Sequence, residues 1–276
     1  GAERVLNAHI APLPPGSDFG PGAQVLVQIG DLSEERTAEA TRTDFIANAS
    51  HELRTPLASI LGYIETLRGH AKDDPEAQAH FLGIMNVQAK RMQRLVEDLM
   101  SLTRIEMAAH AVPSEMCDLY DIVSEAARAL APLAEKIGAT VAVSLPDSDM
   151  QLRADRDQIA QVITNLTENA LKYGGSDVRV TISAAQGTPP RPGMTGVCIA
   201  DTGPGIPREH LPRLTERFYR VSAKKSKEQG GTGLGLAIVK HILARHGGEL
   251  AIESVVGEGS VFTVWLPEAR KQIDRK

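Results

Sequence analysis

Aromatic residues are scarce in this chain, at 4% of 276 residues with a single tryptophan. That scarcity excludes a disordered aromatic-polar tract and an aromatic-rich binding surface. Cysteine is nearly absent. Cys117 and Cys198 cannot build a disulfide framework, so a reducing compartment is expected. No apolar run is long enough to cross a bilayer, and no secretory leader pattern opens the chain. Positive charge is not in excess: 30 Lys+Arg stand against 35 Asp+Glu, a net −5. Direct nucleic-acid binding therefore has no general electrostatic basis. What is present is 42% hydrophobic and 24% charged residues, the range of globular proteins, over one or two domains' length. A cytoplasmic piece is expected, with any membrane anchor of the parent protein outside this sequence.

Four stretches differ in texture. Residues 1–33 hold short β-like runs, with Val25, Val27 and Ile29 alternating after the turn-rich PLPPGSDFGPG. Two such runs are too few for an independent sheet, so they read as the end of a domain that begins earlier. Residues 34–107 read as a long helical hairpin. Leu53, Leu57, Ile60, Ile64 and Leu67 form one heptad seam; Phe81, Met85, Gln88, Met92, Leu95, Leu99 and Leu102 form a second. The polar break GHAKDDPE, residues 69–76, separates them. Two hairpins close a four-helix bundle, so a homodimer is expected. Residues 108–117 read as a linker. From 118 to 268, helix-like stretches (118–136, 155–172, 234–246) mix with strand-like ones (139–145, 178–184, 196–201, 249–255, 260–266), which predicts one α+β domain. Residues 269–276 form a tail.

His51 lies in FIANASHELRTPL, residues 45–57. At roughly 100° per residue it sits about 200° from Leu53 and about 240° from Leu57, so it faces solvent rather than the seam. A neutral imidazole is a good nucleophile near neutral pH. Glu52 is placed to orient the ring or take its proton. Thr55, one turn on, is placed to position a water against a phosphorylated imidazole. Pro56 removes the amide that would bond the Glu52 carbonyl, which predicts a kink beside His51. A zinc-protease helix would need a second histidine at position 55, where this chain has Thr55.

Three further boxes suit a nucleotide. In NLTENALKYGG (165–175), Asn165 and Asn169 share a helix face with Lys172 close by. Carboxamide oxygens suit Mg²⁺ that also carries phosphates, and Lys172 offers those phosphates a charge. Glu168 is expected to point off that face. In DTGPGIP (201–207), Asp201 at a strand end can accept from an exocyclic amine, and Gly203 and Gly205 let backbone approach a flat ring. GGTGLGLAIVKHI (230–242) sets Gly231, Gly233 and Gly235 before a helix, where amides favour phosphate. Neither the dinucleotide fingerprint nor a P-loop is present. Residues 208–228 carry seven Lys/Arg and three Asp/Glu, a local +4 that could screen a polyphosphate or form a mobile lid.

The ordered set resembles a sensor histidine kinase of a two-component system. The histidine box, asparagine box, both glycine boxes and ERFYRV (216–221) occur in that family's order over residues 34–268. GYIETLRGHAKDD and RLVEDLMSLTRIEM are most similar to the phosphate-regulon sensors. The resemblance implies a multidomain α and α+β protein. A dimerising phosphotransfer hairpin forms a four-helix bundle, and an α/β sandwich of the Bergerat (GHKL) type, shared with type II topoisomerases, Hsp90 and MutL, binds ATP. Residues 1–33 resemble the closing strands of a PAS sensor.

Roles follow motif by motif from the resemblance. His51 is the phosphorylated residue, Glu52 its acid/base partner, and Thr55 assists a phosphatase activity. Asn169 ligates Mg²⁺, with Asn165 and Lys172 near the phosphates. Tyr173 lies against adenine, Asp201 reads its amino group, and Gly203 and Gly205 shape that pocket. Arg220 meets the γ-phosphate. Gly231, Thr232, Gly233, Leu234 and Gly235 belong to the lid's glycine box. The implied cofactors are ATP, as substrate, and Mg²⁺. The implied partners are a second copy and a response regulator, with an anchor in the bacterial inner membrane only through a segment outside this sequence. The rival readings are a clamping ATPase of the same sandwich and a pseudokinase scaffold.

Overall fold

The computed structural model describes residues 6–12, 25–31, 33–108, 113–146, 150–222 and 230–269. The chain divides into two compact units, residues 1–55 and 56–276.

In the first unit, β1 (Leu6–Pro12) and β2 (Val25–Asp31) form an antiparallel hairpin, with Leu6 opposite Asp31 and Pro12 opposite Val25. Val25, Val27 and Ile29 remain exposed, because two strands are too few to cover a face. Helix α1 (Ser33–Arg68) begins in this unit and runs through Pro56 into the next.

The second unit opens with the remainder of α1 and with α2 (Pro75–Met107). Tyr63 stacks on Phe81, with ring centroids 5.2 Å apart. The expected break at 69–76 is shorter, because α2 starts inside it. Asp74 caps α2 by accepting from the amides of Glu76 and Ala77, and Pro75 occupies the first turn, where a missing amide costs nothing.

The α/β part follows. Its sheet has the order β4-β6-β7-β9-β8, formed by β4 (Thr140–Ser144), β6 (Arg179–Ala184), β7 (Met194–Asp201), β8 (Glu249–Val255) and β9 (Gly259–Pro267). Only β4 and β6 pair in parallel. Three helices pack against the sheet: α3 (Leu119–Lys136), α4 (Arg156–Tyr173) and α5 (Gly235–Arg245). Val180, Ile182, Val197, Ile199, Phe262 and Val264 are buried in the sheet. The intervening Thr181, Ser183, Cys198 and Thr263 are half-buried, the alternation expected of a sheet covered on one face. Ile122, Val123, Ile159, Ile163, Leu166, Ile238 and Ile242 complete the core from the helices.

One expectation needs correcting. Met116 and Cys117, placed in a linker, form β3 (Met116–Asp118), which pairs with β5 (Gln151–Arg153). Cys117 is buried against Leu152. Strands of three residues show no periodicity from which they could be read.

Candidate functional site

The first element of the site is α1 around His51. His51 is exposed and Leu53 half-buried, whereas Leu57, expected on the seam, is exposed as well. The Thr55 hydroxyl donates to the His51 carbonyl oxygen at 3.2 Å, so the two residues are joined along one helix face. Pro56 is buried within the continuous helix.

The second element is a cavity of about 450 Å³ in the larger unit. Its floor is built by α4, whose Asp155 cap accepts from the Gln158 amide. Ile159, Val162, Ile163 and Leu166 bury one side of this helix in the core. The other side turns Asn165, Glu168, Asn169, Lys172 and Tyr173 into the cavity. Glu168 therefore departs from expectation. It precedes Asn169 but lies three residues after Asn165, on the same face. It also pairs with Lys172, one turn on.

Asp201, at the end of β7, lines the opposite side. Its Oδ1 accepts from the Gly203 amide at 2.8 Å. Burial pushes its carboxyl above the ordinary aspartate value, against hydrogen bonds from Gly203 and Ser260. Two glycines make this corner possible. A Cβ at Gly203 would stand 2.6 Å from the Gly174 Cα. Gly205 has a φ of +68°, and a Cβ there would meet the Val255 carbonyl oxygen at 2.1 Å. Phe262 and Ser260, which the sequence pattern did not single out, complete this wall from β9.

The glycine loop leads into α5. Gly230, Gly231, Thr232, Gly233 and Gly235 line the cavity, whereas Leu234 is fully buried beneath it. Asn165 donates to the Gly235 carbonyl at 3.5 Å. ERFYRV interlocks with this loop. Phe218 adopts a left-handed φ of 64°, and its amide donates to the Gly233 carbonyl at 2.8 Å. Such a conformation is strained for an aromatic residue and is held by its surroundings. Arg220 donates to the Gly231 and Thr232 carbonyls at 2.9 and 2.8 Å. Expected to face a phosphate, Arg220 lines the cavity and braces the loop in this state.

In the described part of the basic stretch, residues 208–222, two arginines are likewise engaged in structural contacts. Arg213 pairs with Glu216 at 3.1 Å, and Arg217 pairs with Glu106 of α2. The lid expected there falls partly on residues 223–229, outside the described residues.

A third wall was missed by sequence reasoning: Arg94, Glu97 and Asp98 of α2. The Thr232 hydroxyl donates to Asp98 Oδ2 at 2.6 Å. Burial holds the Asp98 carboxyl above its ordinary range, with Thr232, Lys172 and Arg94 acting in the opposite direction. Among the described residues, no three His, Cys, Asp or Glu side chains cluster to hold a metal. The donors on α4 are the Asn165 and Asn169 carboxamide oxygens and the Glu168 carboxylate. That set fits a hard ion such as Mg²⁺ that arrives on phosphates and keeps part of its water shell.

Two family models match the sequence. One describes the His Kinase A (phospho-acceptor) domain and matches residues 41–108. The other describes the histidine kinase-, DNA gyrase B-, and HSP90-like ATPase and matches residues 154–270. The phosphate regulon sensor protein PhoR of Pseudomonas aeruginosa is 38% identical over 259 residues, which cover 91% of this chain and 56% of that protein. The Acinetobacter baumannii histidine kinase AdeS superposes with a TM-score of 0.61 at 25% identity, over 80% of this chain and 98% of that one. Full-length ShkA in complex with AMPPNP superposes at 0.58 and 27% identity, over 81% of this chain and 45% of that one. The chain spans about half the length of the curated relatives it matches.

Proposed function

The chain belongs to the sensor histidine kinases, and from that premise we propose that it autophosphorylates on His51 with ATP and Mg²⁺, then passes the phosphoryl group to a response-regulator aspartate. One observation carries this reading. The asparagine face of α4, the Asp201 corner and the glycine loop line a single cavity of about 450 Å³, the size of a small-molecule site.

We assign the roles by matching the family's motifs to the residues that line the cavity. Asp201 accepts from the adenine amino group, and Gly203 and Gly205 let the ring lie against backbone. Tyr173 flanks the base. Amides of Gly231, Gly233, Leu234 and Gly235, at the start of α5, receive the phosphates with Thr232. Asn165, Lys172 and Arg220 hold the polyphosphate. Asn169 holds Mg²⁺, which when bound neutralises charge developing on the phosphate oxygens. A His51 ring nitrogen attacks the γ-phosphorus. The new P–N bond forms as the bond to the leaving ADP oxygen breaks, and Glu52 takes the ring proton. The chain contributes mainly positioning and electrostatics.

Thr55 serves an opposing phosphatase activity, orienting a water that attacks the regulator's aspartyl phosphate, frees the aspartate and releases inorganic phosphate. The domain plan that goes with this reading is a PAS-like end at 1–33, a dimerising hairpin at 34–107, a connection that ends where β3 begins, an ATP-binding domain through 268 and a tail at 269–276. The kinase acts on the cytoplasmic side of a membrane-anchored parent protein, as a homodimer through the hairpin.

The test is incubation with γ-labelled ATP and Mg²⁺. Acid-labile, base-stable label on the chain is expected, and it should disappear in His51→Ala and Asn169→Ala. Label surviving His51→Ala would sink the proposal. Steady phosphate release unaffected by His51→Gln would favour a clamping ATPase instead.

A further inference from the structure

The α2 wall of the cavity has no part in the transfer described above. Asp98 accepts from the Thr232 hydroxyl at 2.6 Å, in the middle of the loop that precedes α5. The positive charges acting on its carboxylate are those of Lys172 and Arg94. A hydroxyl donor, a lysine and an arginine are the partners that a phosphate oxygen would seek. Asp98 thus occupies, as an anion on the protein's own helix, a phosphate's position in the local electrostatics. Glu97 and Glu168 line the same cavity and add negative charge.

Resting on the reading of the cavity as a nucleotide site, we propose that Asp98 is a built-in phosphate mimic. Docked α2 and the phosphate chain of ATP compete for Thr232 and the surrounding cations. A second contact makes the docking specific. Glu106, two helical turns from Asp98, pairs with Arg217 in ERFYRV. Arg217 adjoins Phe218, whose amide holds the Gly233 carbonyl. The helix therefore grips both segments of the interlocked pair, one through Glu106 and the other through Asp98. Entry of a triphosphate sets like charges against Asp98 and Glu97 in a poorly solvated space, where repulsion is strong. Linkage makes the effect reciprocal. ATP releases α2 from the loop, and release of α2 tightens ATP binding. Asp98 is a positioning residue in this scheme, because it acts through Thr232.

The test is calorimetric titration of the whole chain with AMPPNP and Mg²⁺, for wild type, Asp98→Ala and the conservative Asp98→Asn. Both variants should bind about fivefold tighter or more, with a smaller gain for ADP, which lacks the terminal phosphate. A purely structural role would not separate the two nucleotides. Without nucleotide, amides 230–236 should exchange hydrogen faster in Asp98→Ala than in wild type. Unchanged or weaker AMPPNP binding by both variants, beside a binding wild type, overturns the competition. Exchange that does not change overturns the docking contact. No binding by any form, wild type included, overturns the nucleotide reading itself.

Discussion

At Gly205 a single hydrogen in place of a methyl group keeps the Asp201 corner of the cavity open. Its φ of +68° disfavours any Cβ, and the Val255 carbonyl oxygen already occupies that space at 2.1 Å. Gly257 separates the two effects, because its φ is +89° and nothing lies within 4 Å of its missing Cβ. Gly257→Ala should cost only left-handed strain, about 1 kcal/mol. Gly205→Ala adds a clash with backbone and should cost about 2 kcal/mol or more, with loss of AMPPNP binding. Urea unfolding and nucleotide titration of the two variants check this. Equal stability losses would show that space at position 205 is not limiting. The need for glycine at 203 and 205 was legible in DTGPG. The need at Gly259, where a Cβ would stand 1.9 Å from the Asp201 carbonyl oxygen, was not, since only strand pairing brings those residues together.

Among the elements, the start of α4 and the end of α5 are locked by one small cluster. Asp155 caps α4, and its carboxylate also meets Arg245 at 3.3 Å. The Asp155 amide donates to His246 Nε2 at 3.0 Å, and His246 Nδ1 lies 2.8 Å from the Ile242 carbonyl oxygen. A ring nitrogen that accepts from an amide cannot carry a proton, so the folded state holds His246 neutral, with Nδ1 the donor. Burial, then the neighbouring Arg245 charge, lower its proton affinity against the pull of Ile242 and Asp155. The unfolded chain takes up that proton near the ordinary histidine value of about 6.5. The resulting stability is therefore complete above that value and is lost as pH falls from it toward the lower folded value. Denaturant titrations at pH 7.5 and 5.5 should show a loss at the lower pH that His246→Gln reduces. A variant with the wild-type pH slope would remove His246 from this account. The sequence pattern places both helices within a residue or two, because Ile159, Val162, Ile163 and Leu166 repeat at helical spacing. It carries no sign of the cluster between their ends.

For the whole molecule, the hairpin leaves Leu57, Leu61, Leu82, Val96 and Met100 exposed on α1 and α2, with Leu61 at 53%. Exposed apolar side chains along a helical hairpin are what a second hairpin covers in a four-helix bundle. Sedimentation should find a dimer, and Leu57→Glu with Leu61→Glu should shift it to monomer. A wild-type chain that sediments as a monomer at micromolar concentration would count against the bundle. Much of the architecture is legible without coordinates, because its causes are local. Heptad and 3.6-residue periods mark the helices, alternation marks the strands, and the order of the boxes marks the family. His51 facing away from the seam follows from helix geometry alone. What the tertiary structure decided is how α2 takes part. Asp98 and Thr232 are 134 residues apart, and Glu106 and Arg217 are 111 apart. No local period encodes such pairs. They arise because the α2 face that carries Leu95 and Leu102, read only as half of a dimer seam, is buried and packs against α5, and so walls the cavity.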